Sequence, residues 1–407
     1  MKKNKNGFKI TKKDDFGMTK HKKILIVVVV ISIIGIIYTS LAVNKNFGVQ
    51  KYFNYEFVDG EVLSIKEETI NPDPLIPGRY VGKQKIEIRI LEGVHKNQIY
   101  SVINVLSNRH NIFAKPGMKA IFTIREKDGK ESVWFYNYKM DRYIYILIGL
   151  FCLTLLIFGR LSGAKSILSL IFTGVIIIFV LIPIIFRGGN PIPWAIFLCS
   201  LITVVTFLLI GDFNRKTYSA ILGTIAGVMI SGIISYIFGN LSKLTGIHME
   251  KGEQILYLAA DYHVKINGLM FTSILIASLG AINDVAMSIA SSCNELCKRN
   301  PDIRLDDLFI SLMDIGKDIM GTMTNTLILA FTGSSLNLML MIWGFQMNTK
   351  QFINMPVIAI ELIQALSGSI GIVLTVPITA SISVYLIKKK GRLFFKKEKK
   401  IKLYNKL

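Results

Sequence analysis

The feature that most restricts this chain is a recurring run of about twenty residues with almost no charge. Ile24–Ala42, ILIVVVVISIIGIIYTSLA, is the first. About twenty apolar residues in a helix cross the roughly 30 Å hydrocarbon core of a bilayer. In lipid only helices and closed barrels satisfy their own backbone groups. Further runs lie at 142–159, 167–186, 192–211, 217–239, 267–292, 319–343 and 357–387. The expected fold is an α-helical polytopic membrane protein with about eight transmembrane helices. Only 18% of the 407 residues are charged, against about a quarter in soluble domains.

The net charge of +21 is concentrated at the ends. Residues 1–23 carry +7 and residues 388–407 carry +9. Basic ends beside apolar runs follow the positive-inside rule, and eight spans place both ends in the cytoplasm. Arg160 with Lys165, Arg215 with Lys216, and Lys298, Arg299 with Arg304 fall on that same side. The basic ends are suited to anionic lipid headgroups. No nucleic-acid-binding motif accompanies them, so a nucleic-acid partner is not expected. Ile24–Ala42 is long for a signal sequence and reads as an uncleaved anchor.

Residues 43–141 differ in kind. KIEIRI, Lys85–Ile90, alternates strictly and places Ile86, Ile88 and Ile90 on one strand face. QIYSVINVL and KAIFTIRE read as further strands, and Asp128-Gly129 as a hairpin turn. About five strands in this length predict a small β-barrel-like domain, OB-like in size, outside the cytoplasm. Trp134, Phe135, Tyr136, Tyr138, Tyr143 and Tyr145 read as an aromatic belt where the chain re-enters the bilayer. The domain expectation is therefore a basic end at 1–23, an anchor at 24–42 and a β domain at 43–141. A seven-helix membrane domain at 142–387 and a basic tail at 388–407 follow. Residues 252–266 suggest an interfacial helix, and RLDDLFISLMDIGKDI an amphipathic helix along the cytoplasmic face.

Polar residues inside three apolar runs are the candidate site. GAINDVAMSIASS places Asn283, Asp284 and Ser288 in the sixth. Asp284 and Ser288 are four apart and share a helix face. KDIMGTMTNTLILAFTGSS places Asp318, Thr322, Asn325 and Thr326 on one face of the seventh. The eighth carries Glu361, then SGSIG and Pro377, where a helix can bend. A carboxylate at mid-bilayer costs about 2.5–3.5 kcal/mol on insertion scales, so Asp284 reads as functional. Ser288, Thr322 and Thr326 read first as packing groups. Glu361 divides evenly between function and snorkelling to outer water, and Asp318 reads as interfacial. Asp284 and Asn325 fall at one expected depth on consecutive helices. Oxygen ligands of this kind suit a proton or a hard cation of unspecified identity. No other cofactor and no firm metal site are implied.

His21, His95, His110, His248 and His263 all lie outside the runs. Neither a membrane-embedded Ser–His pair nor HExxH occurs, and no second carboxylate shares the expected depth of Asp284. An enzyme is not expected. Cys152, Cys199, Cys293 and Cys297 avoid the β region, so no disulfide framework is implied.

The stretches LGAINDVAMSIASS, MDIGKDIMGTMTNTLILAFTGSSL and SGSIGIVLTVPITA resemble the YibE/F-like family of bacterial membrane proteins. The resemblance extends to VGKQKIEIRILEGVHKNQ in the β region. Asn283 stands where a less polar residue is expected from that resemblance. It implies a multi-pass protein without an assigned substrate or catalytic residues. A Lys-, Ile- and Asn-rich composition fits a low-GC Gram-positive bacterium, whose β domain would stand outside the plasma membrane. Two readings stay open. One is a permease for a small solute or ion with a cation or proton site at Asp284. The other is a non-transporting scaffold whose outer domain binds a protein partner.

Overall fold

The computed structural model describes residues 20–45, 55–74, 76–107, 110–127, 130–211, 213–249 and 251–389. The chain divides into two units, residues 44–159 and residues 1–43 with 160–407.

In the first unit five strands form one antiparallel sheet: β1 (Tyr55–Pro72), β2 (Tyr80–Ile90), β3 (Ile99–Leu106), β4 (Lys119–Lys127) and β5 (Lys130–Tyr138). Their order is β3-β2-β1-β4-β5. The strict alternation in β2 buries Ile86, Ile88 and Ile90 against Val58, Val62, Phe122 and Phe135. Strand β1 is long enough to serve two partners. Tyr55–Glu61 pair with β4 and Gly60–Pro72 with β2. Register shifts at Val62/Ser64 and Ile65/Glu67 break the β1–β2 ladder, and such bulges increase twist. The sheet curls into a half-barrel. Its edge strands are tied by a side chain, since the Tyr100 hydroxyl donates to Glu131 Oε2 at 2.6 Å.

Two buried amides hold the loop before β4. Gln84 Oε1 accepts from Asn104 Nδ2 at 3.0 Å and from the Ala114 amide at 2.9 Å, and Asn104 Nδ2 donates to the Ile112 carbonyl at 2.7 Å. The predicted turn at Asp128-Gly129 lies outside the described residues, although Lys127 pairs with Lys130 across it. The expected aromatic belt is divided. Phe135 belongs to the sheet core, whereas Trp134 and Tyr136 are exposed and stand edge-on to Tyr55 and Phe57. The alternation of β5 puts successive aromatics on opposite faces.

The helices are α1 (Lys20–Lys45), α2 (Asp141–Ile176), α3 (Ile182–Phe186), α4 (Pro191–Ile210), α5 (Arg215–Leu241) and α6 (Gly252–Tyr262). There follow α7 (Leu269–Arg299), α8 (Leu305–Ser334), α9 (Leu336–Gly344), α10 (Thr349–Ile353) and α11 (Pro356–Ser383). A π-helical turn, Ile177–Leu181, joins α2 to α3. Among the described residues six helical stretches are long and apolar enough to cross a membrane. The pair α8 and α9, bent by 63°, makes seven if it counts as one span.

Two boundaries differ from expectation. The runs 142–159 and 167–186 form one 46-residue stretch, Asp141–Phe186, interrupted at Arg160 (φ 48°, ψ −127°). The non-helical Arg160 stands between the two expected runs, where two helices meet at a kink. The amphipathic segment after residue 304 and the seventh apolar run are also a single helix, α8. Gly316, Asp318 and Gly321 do not interrupt it, and the break falls after Gly333 and Ser334 instead. Helix α11 runs through Pro377 without interruption.

The centre of the second unit is α5, α7 and α11. Every fourth residue of α5 is small: Ser219, Gly223, Gly227, Ser231, Ser235 and Gly239. Helix α11 repeats the pattern with Ser367, Gly371, Thr375, Thr379 and Ser383. The stripes face one another. A Cβ on Gly223 would overlap the Thr379 hydroxyl, and one on Gly227 would overlap that of Thr375. A Cβ on Gly371 would lie 2.8 Å from Ser231 Cβ. Small residues let helix backbones approach closely where lipid supplies no hydrophobic drive. Helix α7 closes the trio, with the Ser231 hydroxyl 3.5 Å from that of Ser278.

Candidate functional site

Asp284 is the central residue of the 31-residue helix α7. The buried side of α7 carries Ile282, Val285, Ala286, Ile289 and Ala290, all 0% exposed. Their spacing fixes the rotation of the helix and leaves Ala277, Gly280, Asp284 and Ser288 on the opposite, exposed side. Asn283 lies between the two faces, half-buried, and its Oδ1 is buried without a hydrogen-bond partner among the described residues.

Helix α8 is oriented in the same way. Leu308, Leu312, Gly316 and Leu327 are buried, while Asp318, Thr322, Asn325 and Thr326 are exposed. The Thr322 hydroxyl donates to the Asp318 carbonyl at 3.1 Å, and that of Thr326 to the Thr322 carbonyl at 2.8 Å. Both hydroxyls therefore have backbone partners on their own helix. Asp314, outside the apolar part, pairs with Lys317 at 2.8 Å.

Contacts along the bundle give the relative levels. Gly368 of α11 packs against the side chains of Ser278 and Leu327, and Gly316 packs against Ile289. The antiparallel steps from Ser278 to Ile289 and from Leu327 to Gly316 are eleven residues each. Asp284 is thus level with Gly321 and Thr322, and Asn325 is about one helical turn away. The expected common depth of Asp284 and Asn325 shifts by that turn, because α7 and α8 both extend beyond the apolar runs.

Glu361 does not join this group. Its neighbour Ile360 clusters with Met270 and Ile274. These lie ten to fourteen residues before Asp284 on α7, about 15–21 Å along the axis. Glu361 is half-buried in α11. The structure therefore sets Asp284 and Thr322 near one level, with Asn325 and Thr326 a turn away to one side and Ser288 a turn away to the other, and places Glu361 elsewhere.

Among the described residues no group of three or more His, Cys, Asp or Glu side chains is arranged to hold a metal ion. None of the four cysteines forms a disulfide. Exposure alone distinguishes the α7–α8 face chemically. Other helices expose lipid-compatible side chains, such as Leu222, Ile233 and Ile237 on α5 and Leu366, Ile370 and Leu374 on α11. On α8 the polar face ends at Thr326, beyond which Ile328 and Leu329 are exposed.

The facing stripes of α5 and α11 were not anticipated. Their signal is present as small residues at intervals of four, but neither stripe contains a charge to draw attention. No curated protein and no solved structure matches the chain. A family described as YibE/F-like protein matches residues 147–389, leaving the five strands outside the match. The matched stretch is more than half of the sequence and contains α4 through α11 entire; the chain belongs to the YibE/F-like family.

Proposed function

We propose that this membrane protein is a permease whose pathway follows the exposed polar faces of α7 and α8, with Asp284 as its cation or proton site. One observation carries the reading: Asp284, Ser288, Thr322, Asn325 and Thr326 face outward from helices that are otherwise apolar enough for lipid. A carboxylate against hydrocarbon costs about 2.5–3.5 kcal/mol or more. Water in a pathway, or another protein surface, must cover that face instead. In this reading Asp284 takes and releases the ion, while Thr322 supplies an oxygen at its level and Ser288 another a turn away. The chain crosses eight times if the Asp141–Phe186 stretch divides at Arg160 and α8 with α9 counts once. Both basic ends then lie in the cytoplasm and the β-sheet unit stands outside a plasma membrane. No covalent chemistry is assigned to any residue.

The test is reconstitution into proteoliposomes. Cation- or pH-gradient-driven flux is expected in wild type and is expected to fall at least tenfold in Asp284→Asn. Flux unchanged by that substitution would end the site assignment. The accessory-subunit reading is favoured by a different observation, the exposed aromatic face formed by Phe57, Trp134 and Tyr136. Aromatic residues are enriched in protein interfaces. A stable partner recovered on the full chain and lost in Trp134→Ala/Tyr136→Ala, with no flux in either protein, would favour it over the permease.

A further inference from the structure

Where α5 ends and α7 begins, the helical unit forms a half-open cavity of about 800 Å³. This is the size range of organic small-molecule sites. It lies at the end of the bundle that holds Glu361, away from Asp284, and its lining chemistry is opposite in sign. Lys243, Lys265, Asn240 and Asn267 stand on its walls, and among the described residues no carboxylate does. Glu361 is not part of the lining.

Three further features point the same way. Helix α7 starts on the cavity wall, where Gly268 (φ 97°) occupies the capping position and offers no side chain to the first turn. Among the described residues nothing in the preceding loop accepts from the amides of Met270 or Phe271. Free amides at a helix start attract anions. Ser235 also borders the cavity. It is 0% exposed, and its hydroxyl has no hydrogen-bond partner among the described residues. A buried hydroxyl without a partner is unfavourable unless something fills the place. The remaining wall is apolar, from Val264 and Phe271 among others.

We propose that this cavity binds an organic anion, with a carboxylate or phosphate head among Lys243, Lys265, the start of α7 and Ser235, and an apolar body against Phe271 and Val264. A free solute and a membrane phospholipid both carry that chemistry. Lysines that merely snorkel to headgroups would need neither the cavity nor the buried hydroxyl. The inference is independent of the permease reading, because binding here is measured without flux and does not involve Asp284.

The full chain in phosphatidylcholine nanodiscs is melted with hexyl phosphate, with octanoate, and with hexanol as an uncharged control. A ligand of the folded state raises Tm by mass action. A rise of roughly 2–5 °C is expected for both anions and none for hexanol. Lys243→Gln/Lys265→Gln is expected to abolish the rise while keeping the unliganded Tm, since both lysines are exposed. Ser235→Ala is expected to weaken anion binding roughly tenfold without lowering the unliganded Tm. No rise with either anion in wild type, or an equal rise in the double lysine variant, would overturn the proposal. Repeating the melts with phosphatidylglycerol in the nanodisc separates the sources. If the lipid itself raises Tm through the two lysines and removes the response to hexyl phosphate, the occupant is a phospholipid. If that response persists, it is a free organic anion.

Discussion

Single residues carry contrasts that substitution can read. Gly227 and Gly280 are both helical glycines. A Cβ at Gly227 meets the Thr375 hydroxyl, whereas one at Gly280 meets nothing within 4 Å. Gly227→Val is expected to destabilise the folded chain by about 1–3 kcal/mol through overpacking. Gly280→Ala is expected to be neutral or to stabilise by up to ~1 kcal/mol through helix propensity. Unfolding in mixed micelles compares them, and equal effects would refute the packing of α5 on α11. Tyr100 gives a pH test. Burial, and then the Glu131 carboxylate that accepts its hydrogen bond, push its phenol up from 10.0 to about 12. The folded state favours the protonated phenol. Its contribution is fully present below pH 10 and is lost as pH rises through about 12. The 295 nm titration difference between wild type and Tyr100→Phe is expected to have its midpoint near 12. A midpoint near 10 would show that the hydrogen bond joining the sheet edges is not made.

Elements show how local pattern and packing divide the work. The alternation in KIEIRI was enough to identify β2 and its buried face, because a strand's two faces follow from a period of two. The end of α8 was not legible. The weak helix formers Gly316, Asp318 and Gly321 stand where a break is expected, yet the helix passes through them, with Gly316 packed against Val376 and Ile289. The outward rotation of Asp284 was likewise unreadable in GAINDVAMSIASS. Its buried face is chosen by Ile282, Val285 and Ile289 packing on α5, α8 and α11, which lie far off in sequence. That rotation leads to an accessibility test. In a cysteine-free background, Ser288→Cys and Thr322→Cys are expected to react with a membrane-impermeant thiol reagent if water covers the face. Leu222→Cys and Leu374→Cys, on apolar faces, are expected to stay unreacted. Protection of all four would mean that a protein surface, not a water pathway, covers α7 and α8.

For the whole molecule, two units are built from two kinds of local periodicity. Apolar runs as long as a bilayer is thick, and short alternating segments between the first two of them, specify membrane helices and a β-sheet unit without reference to distant residues. The sequence by itself therefore determined the membrane class, the sheet and the presence of polar groups within the spans. The tertiary structure alone decided that the small-residue stripes of α5 and α11 meet. It also decided that Asp284 and Thr322 share a level while Glu361 does not, and that lysines and free amides line a cavity at the other end. The physical reason is that a helix's period defines its faces, but which face is buried depends on contacts with helices distant in sequence.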